Sequence, residues 1–358
     1  AQESRGLGDV YKRQDIHIMT REIKARATNW DKDNSIALTY WKQNVKQMWT
    51  EEEFKPSKDL SVWKTLSADE QETYVKALSG LTGLDTTQGT EGMPLLAFHY
   101  PEEIWRGVFA FMSMMENIHH KSYSHIFTSL LERKDTHYYL KKWVPANKYL
   151  NKKTKLITTN YYKLLKPNPT DREIYVAMAS SIFLESFLFF SGFYYPLYLA
   201  GQGKMVHSGE IIRKIILDET IHGSGTGYAA QVIFDKFSKE EQEDIRKELM
   251  ELFDQLYFNE VEYAASLYDK LGLTEDVIRY IQYNGNRALM NLGWETVFNP
   301  EPFNPIVENG LRTDTTNHDF FSVKGDGYTL ALNQVPLRDK DFDFNNVISY
   351  ELSNKFLQ

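Results

Sequence analysis

The chain has no cysteine among its 358 residues. Disulfides, zinc fingers, iron–sulfur clusters and a thiol nucleophile are therefore excluded, and the composition suits a reducing cytoplasm. There is no Lys/Arg block either. The net charge of -8 argues against a nucleic-acid partner. Long apolar runs are scarce. The greasiest stretch, Ser181 to Ala200, is broken by Glu185 and Pro196, so no uninterrupted span of roughly 20 apolar residues stands out and no membrane partner is expected. Alternating strand-type patterns are nearly absent, leaving room for a minor hairpin at most. Ala1 to Gln14 lack both an apolar signal-peptide core and a helical period. Within them, Arg5 to Gln14 look like translated adaptor or vector sequence.

What is present is helical periodicity, over about 33–48, 67–91, 101–131, 134–144, 153–165, 170–200, 207–236, 239–271 and 275–293. Capping boxes open three of these segments, at Ser67 with Glu70, Thr170 with Glu173 and Ser238 with Glu241. The segments 101–131 and 170–200 are apolar on more than one face, as helices at the centre of a bundle are. The 22 Tyr and 21 Phe fit a wide core that needs large fillers. From about Asn299 the pattern dissolves into Pro, Asn, Gly and Asp, and 311–358 read as an irregular tail. The expected organisation is a leader and flexible N-terminus at 1–27, one all-α domain at 28–310, and the tail at 311–358.

One short motif is duplicated. Glu-x-x-His occurs as Glu116 to His119 and again as Glu219 to His222. Residues i and i+3 share a helix face, so each pair aims a carboxylate and an imidazole at one point. Two such helices, with one carboxylate from each of two more, build the dimetal centre of ferritin-like bundles. Asp85 and Glu185 supply those carboxylates, since each stands alone on an apolar helix face. A carboxylate buried there is costly unless it is paired or binds a metal. Oxygen and nitrogen donors suit Mn and Fe. A single Glu-x-x-His is ordinarily a solvated pair. Two of them, joined to two stranded carboxylates, are much harder to explain that way. His120, His125, His137 and His207 lie on polar or mixed faces and attract no metal reading. Tyr123 lies on the stripe of Glu116 and His119 and should sit beside the metals without being a ligand.

The residues that carry these features are similar to the small (beta) subunit of class I ribonucleotide reductases, closest to the class Ib branch. The stretches concerned are Gly83 to Gln88, Met115 to Phe127, Phe183 to Phe193, Asp218 to Gly223 and His318 to Tyr328. The resemblance implies a ferritin-like helical bundle with a dimetal-carboxylate centre. Asp85 and His119 would bind one ion, Glu185 and His222 the other, and Glu116 and Glu219 would bridge two Mn or two Fe. It further implies a stored tyrosyl radical at Tyr123, a dry pocket lined by Phe189 and Ile215, an orienting partner for His119 in Asp218, and Trp49 as the start of the radical path. Tyr350 falls where a tail relay belongs. The implied partners are a second copy of the chain, a large subunit that reduces ribonucleotides, and a small flavoprotein that delivers oxidant to a manganese form. Two features depart from the pattern. The tail is less acidic than expected. In Gly223 to Gly227, small residues replace bulkier ones, which points to a local bulge or an access channel. Another ferritin-like dimetal oxidase and a metal-storage bundle are the competing readings.

Overall fold

The computed structural model describes residues 25, 27–31, 35–299 and 302–312. The segment 1–14, most of the tail, the stretch His318 to Tyr328 and Tyr350 lie outside them. In chain order the longer helices are α1 (Ile36–Gln47), α2 (Ala68–Thr87), α3 (Met93–His99), α4 (Glu103–Leu130), α5 (Lys148–Tyr162), α6 (Asp171–Phe183), α7 (Phe190–Gly201), α8 (Val206–Phe234), α9 (Lys239–Tyr268), α10 (Thr274–Asn291) and α11 (Pro305–Leu311). No strand occurs among the described residues, so the fold is all-α and the hairpin left open by the sequence has no counterpart there.

Local chemistry explains where these helices start. All three capping boxes form: the Glu70, Glu173 and Glu241 carboxylates accept the backbone N–H groups of Ser67, Thr170 and Ser238 at 2.7, 2.8 and 2.9 Å. Each satisfies amides that the first turn leaves orphaned, worth about 1 kcal/mol. Helix α8 has no local cap. Its preceding residue, Met205, sits at φ 51°, in the left-handed region. Asp59 caps it from a distance, accepting the N–H groups of His207 and Ser208 at 3.2 and 2.7 Å. That contact anchors the helix that carries Glu219 and His222.

Several expectations need correction. The segments 67–91 and 170–200 are not uninterrupted α-helices. A π-helical turn follows α2 at Gln88–Gly92, and another, Leu184–Leu188, joins α6 to α7. Leu184–Leu188 is buried on every side, so periodicity could not register the extra residue that a π turn inserts there. Helix α5 starts earlier than 153, at Lys148, because the Asn147 side chain accepts the N–H groups of Tyr149 and Leu150, both at 3.0 Å. Within the stretch read as irregular, Asn304 caps the short helix α11, and Asn309 fixes it to the end of α7 by donating to the Gly201 carbonyl at 2.8 Å. The glycine-rich segment makes no bulge, since α8 runs through it unbroken. Its glycines instead allow close approach: a Cβ on Gly223 would lie 3.1 Å from Asn291 Nδ2, and one on Gly227 3.0 Å from the Asn291 carbonyl carbon.

Helices α2, α4, α6 and α8 surround the centre of the bundle, α2 packing on α4 and α6 on α8. Phe109, Met112, Ile182, Phe187, Ile211 and Ile215 belong to the hydrophobic core and are fully buried. The run Asp171–Gly201, although it contains Glu185, holds an 18-residue window of mean hydropathy 1.6, long and apolar enough by length and composition to cross a membrane. Its apolar window is 100% buried inside the bundle, as in a core helix.

Candidate metal centre

Asp85 comes from α2, Glu116 and His119 from α4, Glu185 from the π turn after α6, and Glu219 and His222 from α8. None is more than 1% exposed. They form two overlapping groups, Asp85, Glu116, His119 and Glu219 in one, and Glu116, Glu185, Glu219 and His222 in the other. Within each group the donor atoms all lie within 4.8 Å of one another. Glu116 and Glu219 belong to both groups, the position that bridging carboxylates occupy.

The groups face each other without satisfying each other. His119 Nδ1 lies 3.4 Å from Asp85, 3.6 Å from Glu116 and 3.0 Å from Glu219, yet it makes no hydrogen bond. His222 Nδ1 meets Glu116 Oε1 at 2.8 Å and lies 3.8 Å from Glu219 and 4.0 Å from Glu185. Both oxygens of Asp85 and of Glu219 are buried without a partner, as are Glu116 Oε2 and Glu185 Oε2. An unpaired buried charge costs several kcal/mol, so this arrangement is unfavourable as it stands.

The acidities register the strain. Burial, and then the Glu116 charge, pushes the carboxyls of Glu185 and Glu219 well above the usual range. Asp85 is pushed up to about 7, by burial first and then by Glu116. Burial also works against ionised Glu116, but the neighbouring imidazoles of His119, 3.6 Å away, and His222, hydrogen-bonded at 2.8 Å, outweigh it and hold this carboxyl at about 2. His119 is raised well above its ordinary value: burial opposes its charge, and Asp218, Asp85, Glu116 and Glu219 overcome that. Two divalent cations would balance four carboxylates and occupy the unpaired donors. Oxygen and imidazole nitrogen are the donors that Mn and Fe accept, so the residues fit such a pair.

Asp218, 2% exposed, lies behind His119. Its Oδ2 stands 3.0 Å from His119 Nε2 and accepts the Trp49 indole N–H at 2.7 Å. With Nε2 held by a carboxylate, the lone pair of a neutral His119 lies on Nδ1, toward the cluster. The Trp49 and His119 rings stack with centroids 5.9 Å apart. Trp49, Asp218 and His119 thus make one continuous buried chain. Tyr123 is 0% exposed and its hydroxyl has no hydrogen-bond partner. Burial, and then the Asp85, Glu219 and Glu116 charges, push its pKa well above that of a free phenol. Phe189 and Ile215 are fully buried in the same core. The other histidines among the described residues stay outside the cluster. His120 pairs with Asn117, His125 with the Phe54 carbonyl and His207 with Glu210, while His137 is exposed.

Sequence reasoning missed two amides, the half-buried Gln47 and the buried Gln88. Gln47 donates to the free oxygen of Asp218 at 2.7 Å, and Gln88 donates to Glu185 at 2.6 Å. The available signal for Gln88 was a long polar side chain on the apolar helix of Asp85, three positions on.

Two Glu-x-x-His helices facing each other, completed by carboxylates from two further helices, define the class: a ferritin-like protein of the carboxylate–histidine dimetal type. A sequence profile described as "Ribonucleotide reductase, small chain" matches residues 28–305. The chain belongs to the ribonucleotide reductase small-chain family. It is 48% identical to a ribonucleoside-diphosphate reductase subunit beta of Bacillus subtilis, covering 89% of this chain and 97% of that one. It is 38% identical to a subunit beta of Mycobacterium tuberculosis, covering 90% and 98%. Among solved structures, the dimanganese(II)-NrdF of Streptococcus sanguinis is similar at a TM-score of 0.76 and 37% identity, covering 81% of this chain and 100% of that one. The NrdF names agree with the class Ib resemblance. Membership makes the chain part of an oxidoreductase that reduces ribonucleotides, and as a small subunit it works with a large one.

Proposed function

We propose that the six clustered side chains hold two Mn or two Fe ions, and that Tyr123 stores the oxidising equivalent as a neutral radical for the large subunit. The observation that carries this reading is the convergence of both Glu-x-x-His pairs on one buried point where carboxylate oxygens lack partners. A bound pair of ions supplies a strong oxidant when it reacts with an oxygen species. The remaining chemistry belongs to the chain. Asp218 keeps the Nε2–H of His119 and so directs Nδ1 at the ions. Tyr123 is held neutral, so its oxidation takes away the electron and the proton together. Its dry surroundings keep out the water and reductants that would quench the product. The chain Trp49, Asp218, His119 is the exit route toward the large subunit.

The dimanganese(II) form named for the similar streptococcal protein favours manganese here. In that form a small reduced flavoprotein would deliver the oxidant. This reading also assigns residues 28–310 to the radical-generating domain and 311–358 to a docking tail with Tyr350 as its relay. It takes the working unit as a cytoplasmic homodimer.

The Tyr123→Phe variant provides the test, since it keeps the ring and removes the transferable hydrogen. After loading with metal and oxidant it should hold as much metal as the wild type. It should show no tyrosyl signal in electron paramagnetic resonance, and no nucleotide reduction with the large subunit. Substantial activity would mean that the equivalent is stored elsewhere. A wild-type protein without a radical after proper loading would favour a ligand-binding oxidase.

A further inference from the structure

Glu185 differs from the other five clustered residues in its support. It sits on a π turn rather than an α-helix. Its Oε1 accepts a hydrogen bond from Gln88 Nε2 at 2.6 Å, while Oε2 has no partner. Gln88 opens the other π turn beside the cluster and is fully buried. π turns are rare and gather at functional sites. Here two of them are tied together through one side-chain hydrogen bond.

The Gln88 amide is fully occupied. Besides Glu185, its nitrogen meets Ser181 Oγ at 2.7 Å. Its carbonyl oxygen accepts the hydroxyl of Tyr161, itself 0% exposed, at 2.6 Å. A flipped amide would set an oxygen against the Glu185 carboxylate and leave the Tyr161 hydroxyl without its acceptor, so only one orientation satisfies all three neighbours. Gly92 leaves room for this clamp. A Cβ there would lie 2.7 Å from the Tyr161 ring and would overlap the Gln88 carbonyl oxygen.

We propose that Gln88, clamped by Tyr161, is a positioning residue that restrains the rotation of the Glu185 carboxylate and so presents it to the cation shared with His222. This inference rests on the dimetal reading above. Gln88 touches no donor of the Asp85 and His119 side, so its influence should be confined to one of the two binding steps. A purely structural glutamine would lower stability and weaken both steps alike.

The test is a calorimetric titration of the metal-free full-length protein with Mn²⁺, followed by electron paramagnetic resonance of the loaded form. Gln88→Met keeps most of the volume and removes every hydrogen bond. It should weaken one step by about 10–100-fold, leave the other unchanged, and alter the spectrum of the loaded pair. Tyr161→Phe, which keeps the packing, should weaken the same step by less. In a Glu185→Gln background, Gln88→Met should add nothing, because its effect passes through Glu185. Equal weakening of both steps, or the same loss in both backgrounds, overturns the proposal. If Gln88→Met does not fold, an unchanged affinity in Tyr161→Phe overturns it. Wild-type protein that takes up no Mn²⁺ would overturn the dimetal reading and this inference with it. Normal uptake, together with an unaltered Gln88→Met titration, would overturn this inference alone.

Discussion

Lys153 and Glu260, where α5 meets α9, are as deeply buried as the carboxylates of the metal centre. The two regions handle their charge differently. Lys153 Nζ donates to both Glu260 oxygens, at 2.9 and 2.7 Å. Ser191 gives Glu260 a further hydrogen bond, and the Tyr263 ring lies 4.0 Å from the ammonium. This pair balances its own charge and has no need of an added ion. In the cluster, four carboxylates meet two imidazoles and most of the oxygens lack a partner. Burial alone therefore does not mark a binding site. Buried charge that the protein leaves uncompensated does.

Breaking the self-sufficient pair should have the largest effect on stability. Lys153→Met leaves Glu260 charged and unpaired, and should cost about 3–5 kcal/mol in a denaturant melt of the metal-free protein. The double variant Lys153→Met with Glu260→Leu should recover most of that loss, since an apolar pair of similar volume replaces an ion pair at little cost. Glu219→Gln should do the opposite of Lys153→Met. It removes charge from a crowded site, so the metal-free protein should be no less stable than the wild type. A loss as large as that of Lys153→Met would show that the cluster is held together by its own contacts, and the comparison would fail.

The next effect concerns pH. Asp85 is pushed up to about 7 in the metal-free fold, by burial and then by Glu116. A carboxyl raised in the folded state favours that state while protonated. It costs stability as the pH climbs from the ordinary carboxylate range through about 7. A cation displaces that proton, so the rise in melting temperature on adding Mn²⁺ should grow between about pH 5 and about pH 8. A rise that stays flat over this window would show that protons and metal do not share the site.

The smallest effect belongs to Asp218, which orients His119 but is not in the cluster. Asp218→Ala should leave metal uptake nearly intact and slow turnover with the large subunit by about 10–100-fold. Loss of metal equal to that in His222→Ala would make Asp218 part of the ligand set itself.

Much of this was legible in the sequence because it depends on spacing. Glu116 and His119, like Glu219 and His222, share a face on any α-helix, and a stranded Asp85 or Glu185 shows against apolar neighbours. The three capping boxes are equally local. Trp49 and Asp218 came from resemblance, since nothing local joins residues that are 169 positions apart. The π turn at Leu184–Leu188 was illegible because these residues are buried on every side, so no polar face records the change of register. Gln88 was missed for a related reason. Its role depends on Ser181, Glu185 and Tyr161, which only the folded bundle brings together.

The most direct test of the dimetal centre is a count of bound metal. The wild-type chain and His222→Ala, each saturated with Mn²⁺ and freed of excess, should be compared by elemental analysis. The account predicts about two ions per wild-type chain and a clear deficit in His222→Ala. A wild-type chain that retains no metal, or equal metal in both proteins, would contradict it.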